Sequence, residues 1–98
     1  PVVPGHCRSN YHMFYIVLAD AAKRDALMAH LKSRGVGAVF HYLPLHTSPM
    51  GAKLGYRSGD LPVTEDMAGR LLRLPFYYEI TQDDQRYVVE QIGAYFSD

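Results

Sequence analysis

Between Tyr11 and Leu18 the run "YHMFYIVL" is aromatic and β-branched and stays apolar on both alternating faces, a pattern that predicts a central strand covered on both sides. The period then changes. Ala21 to Arg34 carries strong helix formers, with Leu27 and Leu31 one turn apart, Asp20 at the N-cap and Gly35 at the left-handed C-cap position. A second strand is predicted over Ala38 to Tyr42, "AVFHY", and Pro44 keeps it from continuing as a regular central strand. The segment from Leu45 to Pro62 is long for a connection in a compact domain, and within it "SPMGAKLG" suits one helical turn with Ser48 as cap and Pro49 in first position.

Thr64 opens the next predicted helix, with Glu65 and Asp66 against the positive end of its dipole and Met67 and Leu71 at a helical interval. Pro75 ends that helix. "LPFYYEI", Leu74 to Ile80, then reads as a short third strand, and Thr81 with Asp84 forms a capping box for a last helix whose stripe is Val88, Ile92, Tyr95 and Phe96. The order of elements implies an α/β (α+β) two-layer sandwich of about three strands with helices mainly on one face.

Composition removes several classes of function. A chain of 98 residues, 48% hydrophobic and 20% charged, is one small globular domain rather than a disordered or coiled-coil segment. Ten basic and ten acidic side chains cancel without a basic cluster, so neither nucleic acid nor an anionic membrane is an expected partner. Runs such as "MFYIVLA" are too short to span a bilayer. Cys7 is the only cysteine and "PVVPGHCRSN" has no signal-peptide pattern, which fits a reducing, cytoplasmic location. Two prolines in the first four residues and no initiator methionine make 1–9 an expected linker remnant of a longer polypeptide, followed by a domain over 10–98.

The chemistry concentrates in "HYLPLHTSPMG", His41 to Gly51. His41 and His46 are separated by four residues including Pro44, which is not the i, i+4 spacing of a helical zinc pair. No serine sits in a G-x-S-x-G elbow, the glycines are scattered, and Cys7 lies near a proline-rich start, so no nucleophile or phosphate-cradling loop stands out. What remains is a set of polar aromatic and imidazole groups expected around one strand end: Asn10, His12, His41, Tyr42 and His46. Such side chains join an apolar body to a hydrogen-bonding tip, as in sugar or nucleotide pockets. In an extended segment His41 and Tyr42 face opposite ways, so one of them packs while the other lines a pocket, and ordinary packing explains both equally well.

Taken together, "NYHMFYIVL", "RDALMAHLKSRGVGAVFHYLPLHTSPMGAKLGY" and "LPVTEDMAGRLLRLPFYYEIT" with a closing amphipathic helix resemble the C-terminal small domain of the DegT/DnrJ family. These are PLP-dependent sugar-nucleotide aminotransferases. Within the family, "HMFY", "AVFHYLPLH" and "LLRLPFYY" are most similar to members that make dTDP-4-amino-4,6-dideoxygalactose from dTDP-4-oxo-6-deoxyglucose, with glutamate as donor, for surface polysaccharides. The resemblance implies that PLP is carried by a lysine of a large domain of the same polypeptide, in a homodimeric parent. Lys23, Lys32 and Lys53 lack that lysine's K-x-x-x-x-G-E-G-G context, so this stretch by itself is expected to bind no PLP and to be inactive. His41, Tyr42 and His46, with Asn10 and His12 on the adjoining strand, are then expected to bind the sugar nucleotide rather than to transfer protons. A free-standing sensing or interaction module of α/β build is the alternative. An apolar or aromatic patch left uncovered near "AVFHYLPLH" and the first strand would favour the domain of a larger enzyme.

Overall fold

The computed structural model describes residues 2–97; Pro1 and Asp98, the outer bounds of the expected linker and domain, lie outside the described residues. The elements run β1 (Phe14–Val17), α1 (Ala21–Ser33), β2 (Val39–Phe40), a 3-10 turn (Leu45–Thr47), α2 (Pro49–Lys53), α3 (Pro62–Arg70), β3 (Leu71–Leu74) and α4 (Gln82–Ser97). This is the expected small α+β fold of three strands with packed helices.

Where the signals are local, the helices begin and end as the sequence predicts. Asp20 accepts the Lys23 amide at 2.7 Å to open α1. Gly35 takes φ +77° to close it, so that the amide of Val36 reaches the carbonyl of Leu31 at 2.9 Å. Thr81 and Asp84 exchange bonds at the start of α4, the Thr81 hydroxyl donating at 2.7 Å and the Asp84 amide returning at 3.0 Å. Along α4, Val88 is buried and Ile92 and Tyr95 pack on the core, while Phe96 is exposed and meets Tyr95 edge-on.

The strands differ from expectation. The sheet order is β1-β3-β2 and β3 is antiparallel to both neighbours, so the central strand is Leu71–Leu74 and the expected central strand lies at an edge. The third strand is therefore not Leu74 to Ile80, and α3 stops at Arg70 instead of running to Pro75. Leucine and arginine are good helix formers, yet "LLRL" gains pairing on both sides, and Pro75 then ends a strand because it has no N–H to give. Ile16 and Phe40 both stand opposite Leu72, whose side chain is wholly buried against the layer holding Leu27 and Leu31 of α1 and Val88 of α4. Val17 and Val39 lie on the other face and are exposed.

The molecule is open for its size. Its radius of gyration is 15.8 Å, against about 13 Å for a compact chain of this length. Its accessible surface is 7553 Å², where a compact protein of the same mass exposes about 5,700 Å². Tyr42, Leu43, Leu45 and Val63 are each about three-quarters exposed or more. An uncovered apolar patch thus extends from the end of β2 across the following loop to α3.

Candidate functional site

The site is built by the chain leaving β2. Phe40 is the last residue paired to β3, so the regular alternation expected through Tyr42 ends before His41. Instead of facing opposite ways, the rings of His41 and Tyr42 meet edge-on with centroids 5.0 Å apart. Tyr42 is exposed, whereas the Nδ1 of His41 is out of solvent and has no hydrogen-bond partner among the described residues. A buried polar atom without a partner is costly, so such an atom calls for a reason.

Within segment 41–45, Leu43 and Pro44 form the wall between two adjoining grooves. One, of about 450 Å³, is lined mostly by apolar groups: His41, Tyr42, Leu45, Val63, Met67 and Leu71. The other, of about 370 Å³, is more polar, with Arg24, Thr47, Ser58 and Glu65 beside Phe40. Arg24 is held in place there, its Nη1 donating to the carbonyls of Ala68 and Leu71 at 3.2 and 3.3 Å and its guanidinium lying 5.8 Å from the Phe40 ring centre. A separate recess of about 210 Å³, lined by Phe14, Leu74, Phe76 and Val88, contains no imidazole or charged group.

His46 occupies a different place from His41. It is buried in the 3-10 turn, and its Nε2 donates to Glu65 at 2.8 Å. The Glu65 carboxylate also accepts the Gly59 amide at 2.7 Å and the Ser58 hydroxyl at 2.9 Å. These bonds, that of His46 first, pull the Glu65 carboxyl from its ordinary 4.5 down to about 2. Asp84 is lowered as well, by the Thr81 hydroxyl and then by the Thr81 amide. Both folded values lie below the unfolded ones, so their stabilisation is complete above the unfolded range and fades as pH falls through it. Melting temperature should therefore hold between pH 7 and 5 and drop from about pH 4.5 towards 2. Circular dichroism melts across that range check it, and Glu65→Gln should flatten part of the drop.

The structure brings His41, Tyr42 and His46 into one segment but not Asn10 and His12. By register Phe14 faces Leu74 while Phe40 faces Leu72, so the chain before Phe14 lies at the opposite end of the sheet from His41. There Asn10 and His12 are exposed and hydrogen-bond each other, next to Tyr11 with φ +50°. Glu65, which sequence reasoning treats only as a dipole-compensating residue, is the member it missed. The only signal is one of two adjacent acidic side chains near the start of a helix, six residues after Gly59, too general to single out. Among the described residues no three His, Cys, Asp or Glu side chains are placed to hold a metal ion, and Cys7 is exposed.

Comparison with known proteins decides the kinship. The profile of the DegT/DnrJ/EryC1/StrS aminotransferase family matches residues 1–93. This chain belongs to that family. It is 41% identical over 96 residues to the "Pleiotropic regulatory protein" of Geobacillus stearothermophilus, covering 97% of this chain and 26% of that protein. It is 35% identical over 85 residues to the dTDP-3-amino-3,4,6-trideoxy-alpha-D-glucose transaminase of Micromonospora megalomicea subsp. nigra, covering 85% of this chain and 23% of the transaminase. The crystal structure of the aminotransferase TlmJ from Streptoalloteichus hindustanus superposes with a TM-score of 0.83 at 31% identity, over 99% of this chain and 25% of that one. The chain thus spans about a quarter of the length of these family members. No helix among the described residues is long and apolar enough to cross a membrane.

Proposed function

We propose that this chain is the small domain of a longer sugar-nucleotide aminotransferase and that it supplies part of the wall of the substrate cleft. In this reading the parent is a cytoplasmic homodimer that moves an amino group from glutamate to a dTDP-4-oxo-6-deoxyhexose, in the formation of surface polysaccharide. The observation that carries it, beside the family, is the openness of the fold. The surface in excess of a compact chain, to which the mostly exposed residues 2–12 also contribute, is greater than the roughly 600 to 1,500 Å² typical of interdomain contacts, and exposed apolar side chains gather around segment 41–45. A free-standing sensor would be expected to close that surface with its own residues.

The three lysines are exposed. Lys23 lies 3.7 Å from Asp20, Lys32 is in the last turn of α1, Lys53 ends α2, and none of them lines the grooves beside His41. In this proposal PLP is held by a lysine elsewhere in the longer polypeptide. The contribution of this chain is binding and orientation. An apolar groove lined by His41 and Tyr42, adjoining a polar groove across Leu43 and Pro44, suits a ligand with both apolar ring faces and hydroxyls, and the Nδ1 of His41 is the polar atom that lacks a partner. His46 shapes the segment, and Asn10 and His12 take a place in the cleft only if the rest of the polypeptide brings them there.

The longer polypeptide, given PLP, glutamate and dTDP-4-oxo-6-deoxyglucose, is expected to yield an amino sugar nucleotide. The 98-residue chain with PLP and borohydride is expected to show no specific labelling of Lys23, Lys32 or Lys53. Stoichiometric labelling of one of them, or a longer polypeptide that transfers no amino group to any nucleotide-linked oxo-sugar, contradicts the proposal.

A further inference from the structure

We infer that Glu65 is a positioning residue, one carboxylate that fixes His46, Ser58 and Gly59 together and so sets where His41 and Tyr42 stand. Its kinetic consequence rests on the sugar-nucleotide reading above; its structural consequence does not.

Two anchors bound the segment between β2 and the 3-10 turn. At one end Phe40 is held by its pairing to Leu72. At the other, His46 is gripped twice, through its ring by Glu65 and through its backbone by the close approach of α2. A Cβ on Gly51 would lie 2.3 Å from the carbonyl oxygen of His46, so the backbone is confined as well as the ring. Only His41 to Leu45 lie between, and Pro44 stiffens that short span with its locked φ of −60°.

Glu65 is suited to join these pieces. It lies in the first turn of α3, whose Arg70 is tied to the carbonyl of Leu18 at 2.8 Å, so it stands on a fixed element. Its Oε1 takes the donors of His46 and Gly59 and its Oε2 that of Ser58. A carboxylate accepts up to about four such bonds, which allows one side chain to collect donors from the 3-10 turn and from the turn before α3. The buried core of Leu27, Leu31 and Leu72 does not include Glu65, so loosening it should move the segment and leave the core in place.

Glutamine separates geometry from charge at this position. Its oxygen can still accept from His46 and Gly59, and its amide can donate to the Ser58 hydroxyl, whereas alanine removes all three contacts. In the 98-residue chain, NMR of the wild type should show a slowly exchanging imidazole N–H proton for His46. Glu65→Ala should abolish it and shift the ring resonances of His41 and Tyr42, leaving the methyl resonances of Leu27 and Leu31 unchanged. In the longer polypeptide the same substitution should raise the sugar-nucleotide KM about tenfold with kcat within about twofold, and Glu65→Gln should return KM to within about threefold of wild type. If Glu65→Ala does not fold, Glu65→Asp, which retracts the carboxylate by one methylene, should shift the same His41 and Tyr42 resonances. Absence of the His46 proton in the wild type, unmoved His41 and Tyr42 rings in the variants, or a Glu65→Gln as impaired as the alanine variant each overturns the inference. A longer polypeptide without aminotransferase activity defeats the functional reading alone, and the resonances still decide the role of Glu65.

Discussion

Gly51→Ala is expected to destabilise the chain by about 3 kcal/mol or more, and it should do so inside a helix, where the same change ordinarily stabilises. The new Cβ would lie 2.3 Å from the carbonyl oxygen of His46, 2.6 Å from its carbonyl carbon and 2.6 Å from the carbonyl oxygen of Leu45. All three are backbone atoms, so no rotamer change relieves the contact. Either α2 shifts away from the 3-10 turn or the turn opens, and both routes pull His46 off Glu65. Gly93→Ala in α4 is the control, because nothing lies within 4 Å of its Cβ. It should stabilise by about 0.5 to 1 kcal/mol. Denaturant melts of the two variants check the pair, and a Gly51→Ala protein at least as stable as wild type would mean that α2 and the turn are further apart than described.

The pair also shows which parts of the molecule the residues announce. Asp20, Gly35, Ser48 and the Thr81–Asp84 box act within a few residues of themselves, so their sequence signals survive into the fold. Leu71 to Leu74 carries no local signal of being a strand. Its identity comes from two partners, Phe14–Val17 and Val39–Phe40, that lie more than 30 residues away along the chain. The site divides in the same manner. His41, Tyr42 and His46 are visible as an unusual density of imidazole and phenol in one short segment, but their separate roles are not. The bond between His46 and Glu65 spans 19 residues, a separation with no helical or strand period to betray it. Chain order and resemblance associate Asn10 and His12 with that segment, while sheet register places them at the far end.

The largest functional effect should come from His41. Its Nδ1 is the one buried side-chain polar atom without a partner among the described residues, and its ring lines the apolar groove that adjoins the polar one. Were a substrate hydroxyl or phosphate to supply that partner, removing the imidazole would cost a contact made to the sugar nucleotide and not to glutamate. His41→Ala in the longer polypeptide is then expected to lower the specificity constant for the sugar nucleotide about tenfold to a hundredfold. Because the His41 side chain makes no hydrogen bond among the described residues, folding should be little affected, in contrast with Gly51→Ala.

The measurement that tests the account most directly is therefore the pair of half-reactions followed separately by stopped-flow absorbance in the wild-type and His41→Ala longer polypeptides. The account predicts a glutamate half-reaction changed by less than about twofold and a sugar-nucleotide half-reaction slowed at least about tenfold at low substrate concentration. Equal damage to both half-reactions, or no effect on either, would contradict the placement of segment 41–45 on the sugar side of the cleft.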